Sequence, residues 1–74
     1  MIEELEVVAL TRAVPEYGLE AGDVGTIVLV HEAAQGYTVE FMDFRGNTVA
    51  IADLPADAVR PVRDREIAHV RQVA

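Results

Sequence analysis

Hydrophobic and polar residues alternate most cleanly over residues 37–44, where Tyr37, Val39 and Phe41 fall on one face and Thr38, Glu40 and Met42 on the other. A period of two built on β-branched and aromatic residues is the signature of a half-buried antiparallel strand. The apolar run Ile27-Val28-Leu29-Val30 makes residues 24–31 the clearest strand of the chain. Val7-Val8-Ala9-Leu10 reads as a first strand after an acidic lead-in, and residues 48–52 as the third strand of a meander. Residues 59–62 then close the sheet, with Pro61 demanding an edge position or a bulge because it has no N–H to give.

The connections carry their own signals. In Gly22-Asp23-Val24-Gly25-Thr26, Gly22 suits a turn and Gly25 lets a bulky neighbour lie against the strand. Ala33-Ala34-Gln35-Gly36 predicts a hairpin turn with Gly36 left-handed, and Arg45-Gly46-Asn47 a second tight turn. The loop over residues 11–23 is long enough to be functional or packed on itself, and Tyr17 and Leu19 are placed to fold it back over the sheet. Leu54-Pro55-Ala56-Asp57-Ala58-Val59 predicts one short helical or 3-10 turn. From Arg63 the period changes: Ile67, Val70, and Val73 or Ala74 recur at helical spacing, with Asp64 as N-cap and Arg71 near the end. Such a helix is too short to stand alone and needs a surface to cover its apolar stripe, either its own sheet or a second chain.

These elements predict an all-β chain: a small five-stranded SH3-like barrel over residues 1–62, with a short 3-10 turn before the last strand, and a short C-terminal helix over residues 63–74. An OB-type barrel is the lesser alternative, because the longer helix it places between its third and fourth strands is not visible. At 74 residues the chain is one domain, and its core must be aliphatic, since rings are few and there is no Trp.

Composition narrows the chemistry. The absence of cysteine removes a disulfide framework and any thiolate metal site, which favours a cytoplasmic address. No basic segment precedes an apolar one, and the longest apolar run is far short of the roughly 20 residues that span a bilayer, so no membrane role is expected. Thirteen acidic residues against six arginines give a net charge of −7, a field that repels phosphate and anionic lipid.

Nucleophiles are scarce: there is no Ser, Cys or Lys, and Thr11, Thr26, Thr38 and Thr48 sit where strand propensity explains them. His31 and His69 fall in no metal-ligand spacing. Asp53 with Asp57, and Glu40 with Asp43, read as solvated acidic faces rather than a general acid and base. The expectation is therefore no catalytic residue, no metal, no cofactor and no small-molecule substrate, with a small enzyme or ligand-binding barrel using Asp53, Asp57 or His31 as the minority reading. Nucleic acid is disfavoured, because Arg12, Arg45, Arg60, Arg63 and Arg65 are interspersed with acids and Tyr37, Phe41 and Phe44 belong to the core, leaving only Tyr17 for stacking.

Binding to protein is the function that survives. The candidate contact residues are Pro15, Tyr17 and Leu19 in the long loop, the Tyr37/Phe41 strand edge, and Ile67, Val70 and Val73 in the tail. The partner is another protein or a second copy. One version is an acidic antitoxin-like or accessory-subunit-like module that neutralises a basic partner, and the alternative class is a KOW-like RNA- or ribosome-associated module.

In order along the chain, Glu6-Val7-Val8-Ala9-Leu10, Pro15-Glu16-Tyr17-Gly18-Leu19, Gly22-Asp23-Val24-Gly25-Thr26-Ile27-Val28, Tyr37-Thr38-Val39-Glu40-Phe41 and Leu54-Pro55-Ala56-Asp57 resemble the bacterial family called domain of unknown function 4926. The resemblance covers residues 5–62 and leaves the tail outside. It implies an SH3-like barrel and a bacterial source, and it brings no activity or catalytic residue with it.

Overall fold

The structure, a computed structural model, describes residues 2–73. Met1, in the acidic lead-in, and Ala74, the alternative end of the tail stripe, lie outside them. Five strands form one antiparallel sheet: β1 (Val7–Leu10), β2 (Val24–Val30), β3 (Gly36–Met42), β4 (Thr48–Pro55) and β5 (Val59–Pro61). Their order across the sheet is β4-β3-β2-β1-β5. The all-β assignment, the five strands and the 3-10 turn before the last one (Ala56–Ala58) are as the sequence predicts.

The alternation in β3 sets the core. Ile27, Val39 and Ala52 are register partners across three strands, and each is fully buried. Around this row the inner face gathers Val8, Leu10, Tyr37, Phe41, Leu54, Ala58 and Val59 into one cluster. Gly25 sits beside it for a steric reason: a Cβ there would lie 2.6 Å from Val39 Cγ1 and 2.9 Å from Phe41 Cε2. The long loop is ordered by its own packing. Val14 and Leu19 bridge around a 3-10 turn (Pro15–Tyr17) closed by left-handed Gly18, and both are buried in the same cluster.

Five expectations need correction. The sheet curls around its core but does not close into a barrel: β4 and β5 are its two ends and do not pair. β5 has only three residues and ends in Pro61, and the 3-10 turn occupies the gap, held by Thr11 N–H to the Ala58 carbonyl at 2.8 Å. The C-terminal helix is absent. Glu66 reaches back to the Arg63 N–H at 2.6 Å as a helix start would, but Arg65 takes a left-handed φ of 66° and the chain runs on without helix through the described residues. In the first hairpin Ala33 and Ala34, not Gly36, carry the positive φ; Gly36 instead makes room in β3, where a Cβ would lie 2.8 Å from the Leu54 carbonyl oxygen. Tyr37 and Phe41 do not form an edge, because β3 lies between β2 and β4. Phe44, expected in the core, is 83% exposed just beyond β3.

Candidate functional site

The outer face of the sheet differs in kind from the inner one. Arg60, Ala9 and Val24 are partners across β5, β1 and β2, so their side chains share this outer face. Ala9 is nevertheless buried, and it lines, with the C-terminal segment, the space where that segment crosses the sheet as a strap without regular secondary structure.

Two ion-paired anchors hold the strap. At its start the Arg60 guanidinium grips Glu66 with two hydrogen bonds, of 2.9 and 2.7 Å. That bidentate contact, helped by the Arg63 N–H, drops the Glu66 carboxyl from an ordinary 4.5 to about 2, and the same pairing raises Arg60. At its end Arg71 donates from Nε to Asp23 Oδ1 at 2.8 Å and from Nη2 to Asp23 Oδ2, with a longer bond to the Gly18 carbonyl at 3.3 Å. Asp23 is lowered chiefly by Arg71, against a desolvation cost that pushes the other way, and Arg71 is raised in turn. The Asp23 carboxylate also accepts the Glu20 N–H at 2.8 Å, so the turn that feeds β2 is the strap's mooring.

Between the anchors the apolar residues are left out of the core. Ile67 is 92% and Val70 70% exposed, and Val73 is half-buried. With Val7, Val24, Met42, Phe44, Val49 and Val62 they line an apolar groove of about 670 Å³ between strap and sheet. The structure thus brings together three of the residues expected to bind protein and joins them to sheet positions that were not singled out. Alternation along β1, β2 and β3 is the signal that could have found Val7, Val24 and Met42. No local signal announces the Arg71–Asp23 pair, whose members stand 48 residues apart.

The loop candidates lie elsewhere. Pro15 and Tyr17 are exposed on the 3-10 turn, and Tyr17 borders a smaller hollow of about 200 Å³ with Arg12, Asp53 and Ala58. Leu19 is a core residue that reaches the large groove only as part of its lining.

The polar residues considered for chemistry are divided among different partners. Thr38 Oγ1 donates to Asp53 Oδ1 at 2.5 Å, and its single proton being so used, His31 Nε2 is the donor across the 2.9 Å contact to Thr38. Asp57 pairs with Arg12 at 3.1 Å, Glu40 accepts from Thr48 at 2.6 Å, and Asp43 closes its own turn by accepting the Asn47 and Arg45 N–H groups, which lower its carboxyl. Each acid of the pairs read from the sequence, Asp53 with Asp57 and Glu40 with Asp43, thus has a polar partner of its own. His31 and Thr38 line neither hollow. Among the described residues no group of three or more His, Cys, Asp or Glu is placed to hold a metal ion, and no helix is long and apolar enough to cross a membrane.

The family model described as domain of unknown function (DUF4926) matches residues 4–61, from the lead-in to the end of β5. The chain belongs to this DUF4926 family. No curated protein and no solved structure matches it. The matched segment contains the whole sheet and one half of each anchor, Asp23 and Arg60, while the other halves, Arg71 and Glu66, lie in the strap beyond it.

Proposed function

We propose that this DUF4926 domain is a non-enzymatic protein-interaction module whose docking surface is the groove between the outer sheet face and the strap. The observation that carries this reading is the exposure of Ile67 and Val70 on a strap whose two ends are moored by ion pairs. An apolar side chain held in water on an anchored backbone is already positioned for a partner, which reduces the ordering cost of binding. The −7 charge favours a basic partner for the rim, as an antitoxin-like or accessory-subunit-like role requires. An RNA-binding reading loses support, since Arg60 and Arg71 are committed to Glu66 and Asp23.

The test is affinity capture from the host lysate with the wild-type chain and with an Ile67→Asp/Val70→Asp double variant. Both side chains lie outside the core, so circular dichroism and thermal melting should be unchanged. A partner held by the wild type and weakened about tenfold or more by the double variant supports the groove. Equal capture by both proteins removes the groove from consideration.

A further inference from the structure

The strap is held as a bound peptide would be. The family-matched segment supplies two receptor groups, the Arg60 guanidinium and the Asp23 carboxylate, and the strap answers from outside that segment with Glu66 and Arg71. Arg60 and Val24 both partner Ala9, so they stand about 10 Å apart across β1, two strand spacings, and Asp23 directly precedes Val24. The five steps of chain from Glu66 to Arg71 reach up to roughly 17 Å, enough to bridge the two receptors with slack.

Each receptor is specific in charge and shape. At one end Asp23 takes two N–H groups of a guanidinium side by side, the Gly18 carbonyl accepts a third contact at 3.3 Å, and the Glu20 carboxylate stands 3.6 Å from Nη1. At the other, Arg60 is a fork that takes a carboxylate by both oxygens. Together they read one pattern in one direction: an acid, then an arginine five positions on. Between these moorings the strap is a poor ligand. Ile67 and Val70 turn their apolar side chains into water, while Val7 and Val24 on the sheet face are themselves 46% and 47% exposed.

We propose that the strap is a displaceable place-holder, and that the outer sheet face takes in its stead a segment of a partner protein bearing a carboxylate and, five residues on, an arginine, with apolar residues between them. Such a segment reproduces both moorings and adds what the strap lacks, apolar side chains laid on Val7 and Val24. A second copy is not the occupant: its strap brings only the two contacts each chain already makes within itself, and −7 on each copy opposes their approach. The strap competes from the same chain at high effective concentration, so it sets a threshold that a better ligand must cross. The groove reading keeps the strap in place and this one removes it, so neither depends on the other.

NMR titration of the 74-residue chain with a synthetic peptide of residues 64–73 tests this. The Glu66→Gln/Arg71→Gln variant releases both moorings, and its Val39 and Ala52 amides should keep their exchange protection because neither substitution touches the core. The peptide should bind this variant at least about tenfold more tightly than the wild type, shifting the Ala9, Val24 and Arg60 amides, and a peptide carrying the same two glutamines should bind neither chain. Adding Asp23→Asn to the unmoored chain should remove peptide binding; asparagine keeps an oxygen for the Glu20 N–H, so the turn survives. Equal affinity for the two chains, binding that survives the glutamines or Asp23→Asn, or no binding at millimolar peptide would each overturn the proposal. A wild-type dimer in sedimentation that is lost in Arg71→Gln would overturn it as well, by making a second copy's strap the occupant.

Discussion

The inner sheet face and the strap are held to the same strands by opposite physics. Ile27, Val39 and Ala52 are fully buried partners in a row, and nothing about their contact depends on pH or salt. The strap crosses the outer face and is fixed at two points by arginine–carboxylate pairs, with Ile67 and Val70 in water between them. Burial makes a unit that melts as a whole, whereas point anchors make a segment that can leave without disturbing the rest. The same sheet therefore carries a rigid core and a releasable surface, and the two can be broken separately.

The largest effect is expected in the core. Ile27→Ala removes a fully buried side chain from the middle of the row and should cost about 3 kcal/mol. A domain of this length has roughly 4–11 kcal/mol in total, so the urea midpoint should fall steeply. Val70→Ala on the strap should leave that midpoint within about 0.5 kcal/mol of wild type. Equal losses from the two substitutions would mean that the strap is part of the cooperative core.

Glycine sharpens the contrast on a smaller scale. Gly25→Ala places a methyl within 3.0 Å of Val39, Phe41 and the Glu40 carbonyl oxygen, and should cost about 1–3 kcal/mol through forced repacking. Gly46→Ala meets nothing within 4 Å, and its cost is only that of an alanine at φ +86°, about 1 kcal/mol. Denaturant melts that rank Gly46→Ala above Gly25→Ala would show that the close approach at Gly25 relaxes at little cost.

The inner face was legible in the sequence because its signal is local and periodic. Tyr37-Thr38-Val39-Glu40-Phe41 states in five residues which side is buried, and Gly25 announces a close neighbour. The strap misleads for the same reason. Ile67, Val70 and Val73 do recur at helical spacing, but three apolar residues cannot hold a helix against two arginine–carboxylate contacts that fix the chain elsewhere. Those contacts join Arg60 to Glu66 and Asp23 to Arg71, and in so acidic a chain no pattern marks which carboxylates the arginines take. Barrel closure fails on a smaller matter: Pro61 demands an edge position or a bulge, and it takes the edge, in the end strand β5 where the sheet stays open.

The smallest effect on stability, and the most selective, is expected from acid. The Glu66 carboxyl is held at about 2 by Arg60, below its ordinary 4.5, and Asp23 is lowered by Arg71 from an ordinary 3.8. A depressed carboxyl contributes fully above its unfolded value and loses that contribution as pH falls through its folded one. Both anchors are thus intact at neutral pH; the Glu66 anchor weakens progressively from pH 4.5 towards 2, and the Asp23 anchor as pH falls below 3.8. Side-chain carbon NMR should place the Glu66 midpoint near 2 in the wild type and move it back towards 4.5 in Arg60→Gln, incompletely, because the Arg63 N–H still donates. Over the same range the Ile67 and Val70 amides should gain fast motion while those of Val39 and Ala52 keep their exchange protection. A Glu66 midpoint at 4.5 in the wild type would show that Arg60 does not hold the strap. Sheet amides that lose protection together with the strap would show that the surface and the core are one unit after all.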